Sequence, residues 1–226
     1  MSTIILASAS PRRRELLACA QLTFSTMSVD IDETPFTDEQ PIAYIERMVK
    51  NKSIAAIERL NGQLAAKINN TGTAHKDDLA SALDTVIILT ADTIGVLADG
   101  NTVLVKPIDR QHAYSMWQQM SNNTHQVWTA VQSVKAQSTY NDQGVQQWQT
   151  IAERQIIERT EVGFVSLTTA MMDSYWDSGE PVDKAGGYGI QGLAAAWVTH
   201  VNGSYTNVVG LPLAQTLALI DELKTS

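Results

Sequence analysis

The segment IILASASPRRRE, residues 4–15, runs from four apolar residues into the first turn of a predicted helix. Ser10 suits the N-cap position, and Pro11 suits the first helical position, where the missing N–H of proline costs nothing. The free N–H groups and the positive dipole end of such a helix favour an anion. The segment therefore predicts a buried strand followed by a helix whose start can bind phosphate, as in an α/β fold.

Three arginines, Arg12, Arg13 and Arg14, lie in this first helical turn. Cations are unfavourable at the N-terminal end of a helix, so their presence there needs a reason. Guanidinium groups bind phosphate oxygens through paired hydrogen bonds, and a solvated basic turn without a ligand is the alternative. Because successive helical residues point about 100° apart, the three side chains cannot all face one phosphate chain.

The composition narrows the classes of function. The chain has 226 residues and a formal net charge of −8 at pH 7, which argues against a nucleic acid polymer as partner and favours a small phosphorylated ligand. No apolar run approaches the roughly 18 residues that cross a membrane, and the N-terminus lacks the pattern of a secretory signal. We therefore expect one cytoplasmic domain over residues 1–226. The single cysteine, Cys19, excludes an internal disulfide, and we expect it to pack in the interior rather than act as a nucleophile.

Strand and helix patterns alternate along the chain, as in α/β proteins. Residues 86–89 are all aliphatic and predict a strand buried on both faces that ends at Asp92, a usual position for a reactive carboxylate. Residues 41–60 predict a helix whose apolar side also carries Lys52. Asp92 and Lys52 are therefore candidate functional residues, and their spacing does not show that they meet. A turn carboxylate and a lysine that reaches into solvent are the alternatives.

The remaining segments are marked by alternation or by turn residues. Residues 124–134 and 160–167 predict half-buried strands. Residues 61–84 predict a loop or a fraying helix end, and residues 135–150 a long hairpin or a loose loop. Asn202-Gly203 predicts a hairpin turn. Four glycines between residues 186 and 192 permit a ligand to approach the backbone closely.

Several short motifs, in the same order, resemble the Maf family of nucleoside triphosphate pyrophosphatases. The matching segments are ILASASPRR (5–13), ADT (91–93), KP (106–107), GEPVDKAG (179–186), YGIQG (188–192), NGSY (202–205) and VVGLP (208–212). Residues 61–84 and 135–150 are longer or more polar than is usual in the family. Val105 stands where a glycine commonly precedes the lysine.

The resemblance implies an α/β fold with an elongated mixed central sheet flanked by helices, in two lobes with a nucleotide cleft between them. It implies hydrolysis of a nucleoside triphosphate between its α and β phosphates, with a divalent metal cation, Mg²⁺ or Mn²⁺. It also suggests a homodimer. A nucleotide-binding regulator of septum formation, with little turnover, is the alternative from another functional class.

The site residues follow from the family motifs, position by position. Asp92 matches the proton acceptor, and Glu33 matches an acidic position that we assign to the metal together with Asp92. A carboxylate bound to metal is a poorer base, so Asp92 either accepts the proton or positions the water. Five further residues are expected to bind the substrate: Ser8, Arg13, Lys52, Lys106 and Lys184.

Three specificity positions, Arg12, Thr93 and Gln191, match the subgroup that acts on dTTP and UTP. A subgroup that resembles 7-methyl-GTP enzymes carries other residues at all three. The side-chain amide of Gln191 offers a donor and an acceptor, which suits the edge of thymine or uracil. Arg14 is expected in solvent or in a structural pair. His125 is expected to be structural, and no histidine has the spacing of a zinc site.

Overall fold

The computed structural model describes residues 3–71 and 85–225. Within these residues the strands are β1 (Thr3–Ala7), β2 (Ser25–Met27), β3 (Thr85–Val96), β4 (Val103–Leu104), β5 (Thr124–Tyr140), β6 (Gln146–Phe164) and β7 (Val198–Asn202). The α-helices in the same residues are α1 (Pro11–Cys19), α2 (Pro41–Thr71), α3 (Arg110–Met120), α4 (Thr169–Asp177), α5 (Tyr205–Val209) and α6 (Leu213–Thr225). Short 3₁₀ helices form at Glu180–Asp183, Ala185–Gly187 and Leu193–Trp197.

The strands join in one mixed sheet in the order β2-β1-β3-β5-β6-β7, with β4 paired to the end of β3. β1 runs parallel to β2 and β3, and the other neighbours are antiparallel. The predicted α/β fold with a mixed central sheet and flanking helices is thus confirmed. No helix in the described part of the chain has a stretch long and apolar enough to cross a membrane.

The apolar run of β1 and early β3 is explained by helices on both faces of the sheet. Ile4 and Leu6 pack with α1 and α6 on one face, whereas Ile5 and Ile88 pack with α2 on the other. A strand that is covered on both faces needs apolar side chains at successive positions. The prediction of a doubly buried strand at residues 86–89 is confirmed.

β5 lies at the centre of the sheet. It shows that one prediction is wrong and decides between the two alternatives of another. Its residues from Val127 to Ala136 are all buried, so it is not the half-buried strand that alternation predicted. β3 and β6 flank its edges, and helices cover both faces. Its pairing with β6 extends from Thr124 to Tyr140. For residues 135–150 the long hairpin is therefore right, and the loose loop is wrong.

Two further boundaries differ from the predictions. β3 continues to Val96, so Asp92 lies inside the strand rather than at its end. α2 continues to Thr71, so for residues 61–71 the predicted helix extension is right and the loop is wrong. Residues 72–84 of that predicted loop lie outside the described residues.

Two predictions made from single residues or pairs are also wrong. Asn202 ends β7, and Ser204 caps the following helix α5, so Asn202-Gly203 joins a strand to a helix and not two strands. Cys19 is the last residue of α1 and is exposed, so it does not pack in the interior. A short helix that buries only one of its residues leaves its last turn in solvent.

A second core is built largely from aromatic rings and packs α3 and α4 against the 3₁₀ segments. The Trp117 ring lies 5.5 Å from that of Tyr175 and 5.3 Å from that of Trp197, measured between centroids. His125 is buried in this core, with its Nε2 atom 2.6 Å from the Tyr188 hydroxyl. Burial lowers the pKa of His125 to about 4, so it is a neutral core residue, as predicted.

Candidate functional site

A gap in the pairing of β3 forms the centre of the site. β1 pairs with β3 as far as Leu89, and β4 pairs with β3 only from Gly95 onward. Between these points, and within the described residues, β3 has a strand neighbour on its β5 edge alone. Asp92 and Thr93 lie in this gap. Asp92 therefore follows the carboxyl end of the parallel part of the sheet, where α/β folds bind ligands.

Lys52 connects helix α2 with two carboxylates. Its ammonium nitrogen lies 2.6 Å from Oδ1 of Asp92 and 2.9 Å from Oε1 of Glu33. The side chains of Lys52 and Asp92 are only 12% and 15% exposed, so their attraction is weakly screened by water. The prediction that Lys52 points inward is confirmed.

The position of Lys52 follows from the way α2 packs on the sheet. Val49 and Ala56, three residues before and four residues after Lys52, are fully buried on the same side of the helix. The hydroxyl of Thr90 donates to the carbonyl of Val49 at 2.9 Å and fastens α2 to β3 next to Asp92. This contact fixes the position along β3 at which the Lys52 side chain reaches the gap. Sequence analysis missed Thr90, because nothing in its local pattern separates it from other strand threonines.

Glu33 is held ionised by its cationic neighbours. Partial burial opposes ionisation, but the hydrogen bond and charge of Lys52, with the charge of Lys106, outweigh it and lower the pKa of Glu33. The hydroxyl of Tyr44 donates to the backbone carbonyl of Glu33 at 3.0 Å. Burial and the negative charges of Asp92 and Glu33 raise the pKa of Tyr44 to about 12. Tyr44, which sequence analysis missed, is therefore a neutral donor that holds the Glu33 segment against α2.

Arg13 ties three parts of the fold together beside this cluster. Its Nε, Nη1 and Nη2 atoms donate to the Gly210 carbonyl at 2.8 Å, the Ser8 hydroxyl at 3.3 Å and the Thr93 hydroxyl at 3.1 Å. Two of its five N–H groups make no bond within the described residues and can still meet a ligand. Burial lowers the pKa of Arg13, and the negative charge of Asp92 opposes that change.

The start of α1 agrees with the sequence prediction. Ser10 is the N-cap residue, its side chain accepts from the backbone N–H of Arg13, and proline follows at the first helical position. Arg14 is exposed, as predicted. Gly210, which accepts from Arg13, has a φ of 125° that a residue with a side chain rarely adopts. The glycine at the end of a helical turn is the signal that could have identified it.

The glycine-rich segment, residues 179–192, supplies a third cation. The ammonium of Lys184 donates to the Glu180 carbonyl at 2.5 Å and to Asp183 Oδ1 at 2.8 Å. The hydrogen bond from Lys184 lowers the pKa of Asp183, and the charge of Arg12 adds to this effect. Arg12 of α1 therefore lies close enough to the glycine-rich segment for their charges to interact.

Lys106 and Gln191 lie at the outer part of the site. The N–H of Gly186 donates to the carbonyl of Val105 at 3.0 Å, which holds the glycine-rich segment next to Lys106. Lys106 is exposed and its charge reaches Glu33. Gln191 is also exposed, and its side chain makes no hydrogen bond within residues 3–71 and 85–225.

The predicted site residues differ in how closely the structure brings them together. One ion cluster and one adjoining hydrogen-bonded group collect most of them: Glu33, Lys52 and Asp92, then Ser8, Arg13 and Thr93. Two cations border these groups through their charges, Lys106 beside Glu33 and Arg12 beside Arg13. Lys184 is linked to them less directly, since it pairs with Asp183, which the charge of Arg12 also reaches. Gln191 has no such link in the described residues.

The carboxylates are suited to a hard divalent cation that also binds phosphate. No three His, Cys, Asp or Glu side chains in the described part of the chain are grouped to hold a metal ion by themselves. Glu33 and Asp92, however, direct carboxylate oxygens at one cationic nitrogen. Mg²⁺ is usually held by one or two carboxylates together with phosphate oxygens and water. The donor set therefore fits Mg²⁺ or Mn²⁺.

Three known proteins that share one description are similar to this chain over nearly its full length. A dTTP/UTP pyrophosphatase from Psychrobacter cryohalolentis is 61% identical over 226 residues, covering 97% of this chain and 96% of that protein. A protein of the same description from Psychrobacter arcticus is 61% identical over 224 residues, with 97% and 94% covered. One from Pseudoalteromonas atlantica is 37% identical over 220 residues, with 97% and 96% covered.

The family assignment rests on the whole chain. The family model described as Maf-like protein matches residues 3–223, which include every element of the site. The resemblance drawn from short motifs is thereby confirmed, and this chain belongs to the Maf family.

Proposed function

We propose that this chain hydrolyses dTTP and UTP to the nucleoside monophosphate and pyrophosphate. The relatives described as dTTP/UTP pyrophosphatases support it over nearly the full length of the chain. The observation that carries the proposal is the Lys52–Asp92–Glu33 cluster in the gap of β3. It combines carboxylates for water activation with a cation for a charged substrate, in one partly desolvated place.

Several cationic side chains can bind the triphosphate. Arg13 offers its two remaining N–H groups from a braced position, so little side-chain entropy is lost on binding. Lys106 and Lys184 add further positive charge, Lys106 beside Glu33 and Lys184 beside Asp183. Ser8 keeps its hydroxyl beside Arg13, where it can donate to a phosphate oxygen. Lys52 places its ammonium beside the carboxylates, where it can also pair with a phosphate oxygen.

The reaction consumes one water molecule. The water oxygen forms a bond to phosphorus while the bridging bond between the α and β phosphates breaks, and pyrophosphate leaves. Asp92 either accepts the proton of the water or holds the water in line for attack. The metal, held by Glu33 and Asp92, would neutralise the developing charge on the leaving group. Partial withdrawal from solvent strengthens each of these electrostatic effects.

Base selection is assigned to Arg12, Thr93 and Gln191. The amide of Gln191 suits the edge of thymine or uracil, and a mismatched base would leave polar groups unpaired. Gln191 is exposed on the glycine-rich segment, so this role requires the segment to close on the base. 7-Methyl-GTP as the preferred substrate, or a broader specificity, is the alternative within the same enzyme class. Cytoplasmic location and a homodimer also stay predictions.

A panel of nucleoside triphosphates tests the proposal. With Mg²⁺ or Mn²⁺, we expect pyrophosphate release from dTTP and UTP well above release from CTP, GTP and 7-methyl-GTP. Asp92→Asn should lower this rate about 1000-fold while the far-ultraviolet spectrum stays unchanged. Asp99→Asn is the matched control, because Asp99 lies in the turn after β3 and bonds only to its own loop within the described residues.

Other outcomes of the panel are equally informative. Binding of dTTP or UTP without turnover of any triphosphate would contradict the enzyme and favour the regulator of septum formation. If 7-methyl-GTP were the best substrate, the roles of Arg12, Thr93 and Gln191 would be wrong, while the reaction class would stand. Equal loss of activity in Asp92→Asn and Asp99→Asn would exclude a specific role for Asp92.

A further inference from the structure

Strand β6 has a long edge without a strand neighbour. It pairs with β5 on one side, but β7 covers its other side only from Glu161 to Phe164. Near the opposite end, the backbone of Trp148 is occupied by Asn61 of α2: its N–H donates to Asn61 Oδ1 at 2.6 Å, and its carbonyl accepts from Asn61 Nδ2 at 3.4 Å. Within residues 3–71 and 85–225, no strand pairs with the outer edge of residues 152–160.

The free edge has defined limits and a defined centre. The β5–β6 register slips so that Ile151 is an extra residue, and such a bulge bends the strand. At the other limit, Glu161 is already paired with β7. The nine residues from 152 to 160 lie between these limits, with Ile156 in the middle. An edge of this length is a template for one more antiparallel strand.

The charges along the free edge are self-complementary. The sequence of residues 153–159 is Glu-Arg-Gln-Ile-Ile-Glu-Arg. When two copies pair antiparallel about a two-fold axis at Ile156, Glu153 faces Arg159 of the second copy and Arg154 faces Glu158. The symmetry repeats each pair, so four opposite-charge contacts form.

Neighbouring registers do not have this property. A two-fold axis requires one residue to face its own copy, so the next possible centres are Gln155 and Ile157. Centring on Gln155 places no opposite charges across from each other, and centring on Ile157 sets Glu153 against Glu161. The geometric centre of the free edge and the centre of the charge pattern therefore coincide at the same residue.

The four charged side chains lie at or near the surface. Glu153, Arg154 and Arg159 are exposed, and Glu158 is half-buried. The three exposed side chains have contacts within their own chain: Glu153 accepts from the Gln132 amide at 3.1 Å, Arg154 lies 3.6 Å from Glu222, and Arg159 lies over the Trp128 ring. A dimer would exchange or share these contacts, of which the exposed ion pair contributes little to stability. Ile156 is half-buried and would pack against its own copy across the axis.

We propose that residues 152–160 of β6 pair with the same residues of a second copy of this chain, antiparallel and centred on Ile156. The two sheets then become one continuous sheet across the dimer. The four charge pairs select this partner and this register over other strands. The proposal is independent of the reaction, since none of these residues belongs to the gap in β3.

Charge exchange tests the register directly. Sedimentation velocity should show a dimer for the unchanged protein. Arg154→Glu and Glu158→Arg each replace two attractive contacts with two repulsive ones, and each should weaken dimerisation at least about tenfold. The double variant Arg154→Glu/Glu158→Arg restores opposite charges across the axis and should dimerise about as well as the unchanged protein. Lys224→Glu, at an exposed position of α6, changes the net charge by the same amount as Arg154→Glu and should leave the dimer intact.

A second readout locates the contact. Amide hydrogens of residues 152–160 should exchange slowly in the dimer and faster in Arg154→Glu, while circular dichroism verifies that the variants are folded. A protein that stays monomeric at every concentration would overturn the proposal. So would a dimer that the single changes leave intact, or single losses that the double variant fails to restore.

Discussion

The gap in β3 and the aromatic core around Trp117 bury polar side chains in opposite ways. In the gap, the ammonium of Lys52 lies against the carboxylates of Asp92 and Glu33, so groups of opposite charge face each other. In the aromatic core, His125 is surrounded by rings, and burial lowers its pKa to about 4, so its charge is lost instead. The two regions thus bury polar side chains by different means: pairing of opposite charges in the gap, and loss of the charge in the aromatic core.

The aromatic core nevertheless contacts the charged region, because its side chains hydrogen-bond to the backbone of the glycine-rich segment. The indole N–H of Trp117 donates to the carbonyls of Gly186 and Gly187 at 3.1 and 3.2 Å. The N–H of Gly189 donates to the hydroxyl of Tyr175 at 3.1 Å. Both Gly186 and Gly187 have positive φ values, 70° and 64°, which favour glycine. Neutral ring donors and acceptors thus position the backbone that carries Lys184.

Lys52→Met removes the cation between the two carboxylates of the gap and has the largest expected effect on activity among Lys52→Met, His125→Gln and Trp117→Phe. Asp92 and Glu33 would then face each other without a cation. We expect dTTP hydrolysis to fall about 100-fold. The free energy of unfolding, measured with urea at pH 7 without divalent metal, should fall by about 2 kcal/mol, because loss of one partner leaves partly buried charge unpaired. Mg²⁺ should restore part of this stability if the carboxylates bind it.

Lys50→Met is the matched control for that change, because Lys50 lies on the exposed side of the same helix. Its activity and unfolding free energy should stay close to those of the unchanged protein. Similar losses in both variants would mean that the position of Lys52 between the carboxylates has no special importance.

His125→Gln tests whether the aromatic core holds its histidine neutral. The pKa is about 4 in the folded state and 6.5 ordinarily, so the unfolded state binds more protons between these values. Stability from the neutral histidine is therefore present above about pH 6.5 and is lost as the pH falls, by up to about 3 kcal/mol at pH 4. Urea unfolding from pH 7 to pH 4.5 should show this loss in the unchanged protein and not in His125→Gln.

Tyr188→Phe tests whether burial or the contact with the Tyr188 hydroxyl lowers the pKa of His125. It removes the hydroxyl that contacts His125 but leaves the histidine buried, so the pH dependence should persist. If His125→Gln kept the full pH dependence, the histidine would not be the group that titrates.

Trp117→Phe tests the link between the two regions and has the smallest expected effect. It removes the N–H that holds Gly186 and Gly187 and some packing volume, so we expect a loss of about 2 kcal/mol in unfolding free energy. The KM for dTTP should rise severalfold, since Lys184 is less well positioned. Trp176→Phe, at the edge of the same core, should lower stability less and leave the KM unchanged. If the KM were unchanged in both variants, the aromatic core would have no role in positioning the substrate.

Much of the fold could be predicted because its signals are local. The cap at Ser10, the apolar side of α2 with Lys52, and the aliphatic run of residues 86–89 depend on neighbours within a few positions. Boundaries were predicted less well. β3 passes beyond Asp92 because β5 keeps pairing with it after β1 has ended, and no residue near Asp92 reveals that.

The site was predicted as a set of residue types and not as an arrangement. Family motifs identified Asp92, Glu33 and Lys52 as functional, but the contact of one ammonium with both carboxylates appears only in the fold. Tyr44 and Thr90 were missed, because their hydroxyls act on backbone carbonyls whose position depends on how α2 packs. Gln191 carries a family signal that the described contacts leave without a partner.

The sequence by itself determined that a strand runs into a capped helix with three arginines, because capping and periodicity depend on adjacent residues. Only the tertiary structure decided what Arg13 does. Its guanidinium meets Thr93 and Gly210, which are 80 and 197 positions away in the chain. Strand order and helix packing bring these groups together, and contacts at such separations have no periodic trace in the sequence.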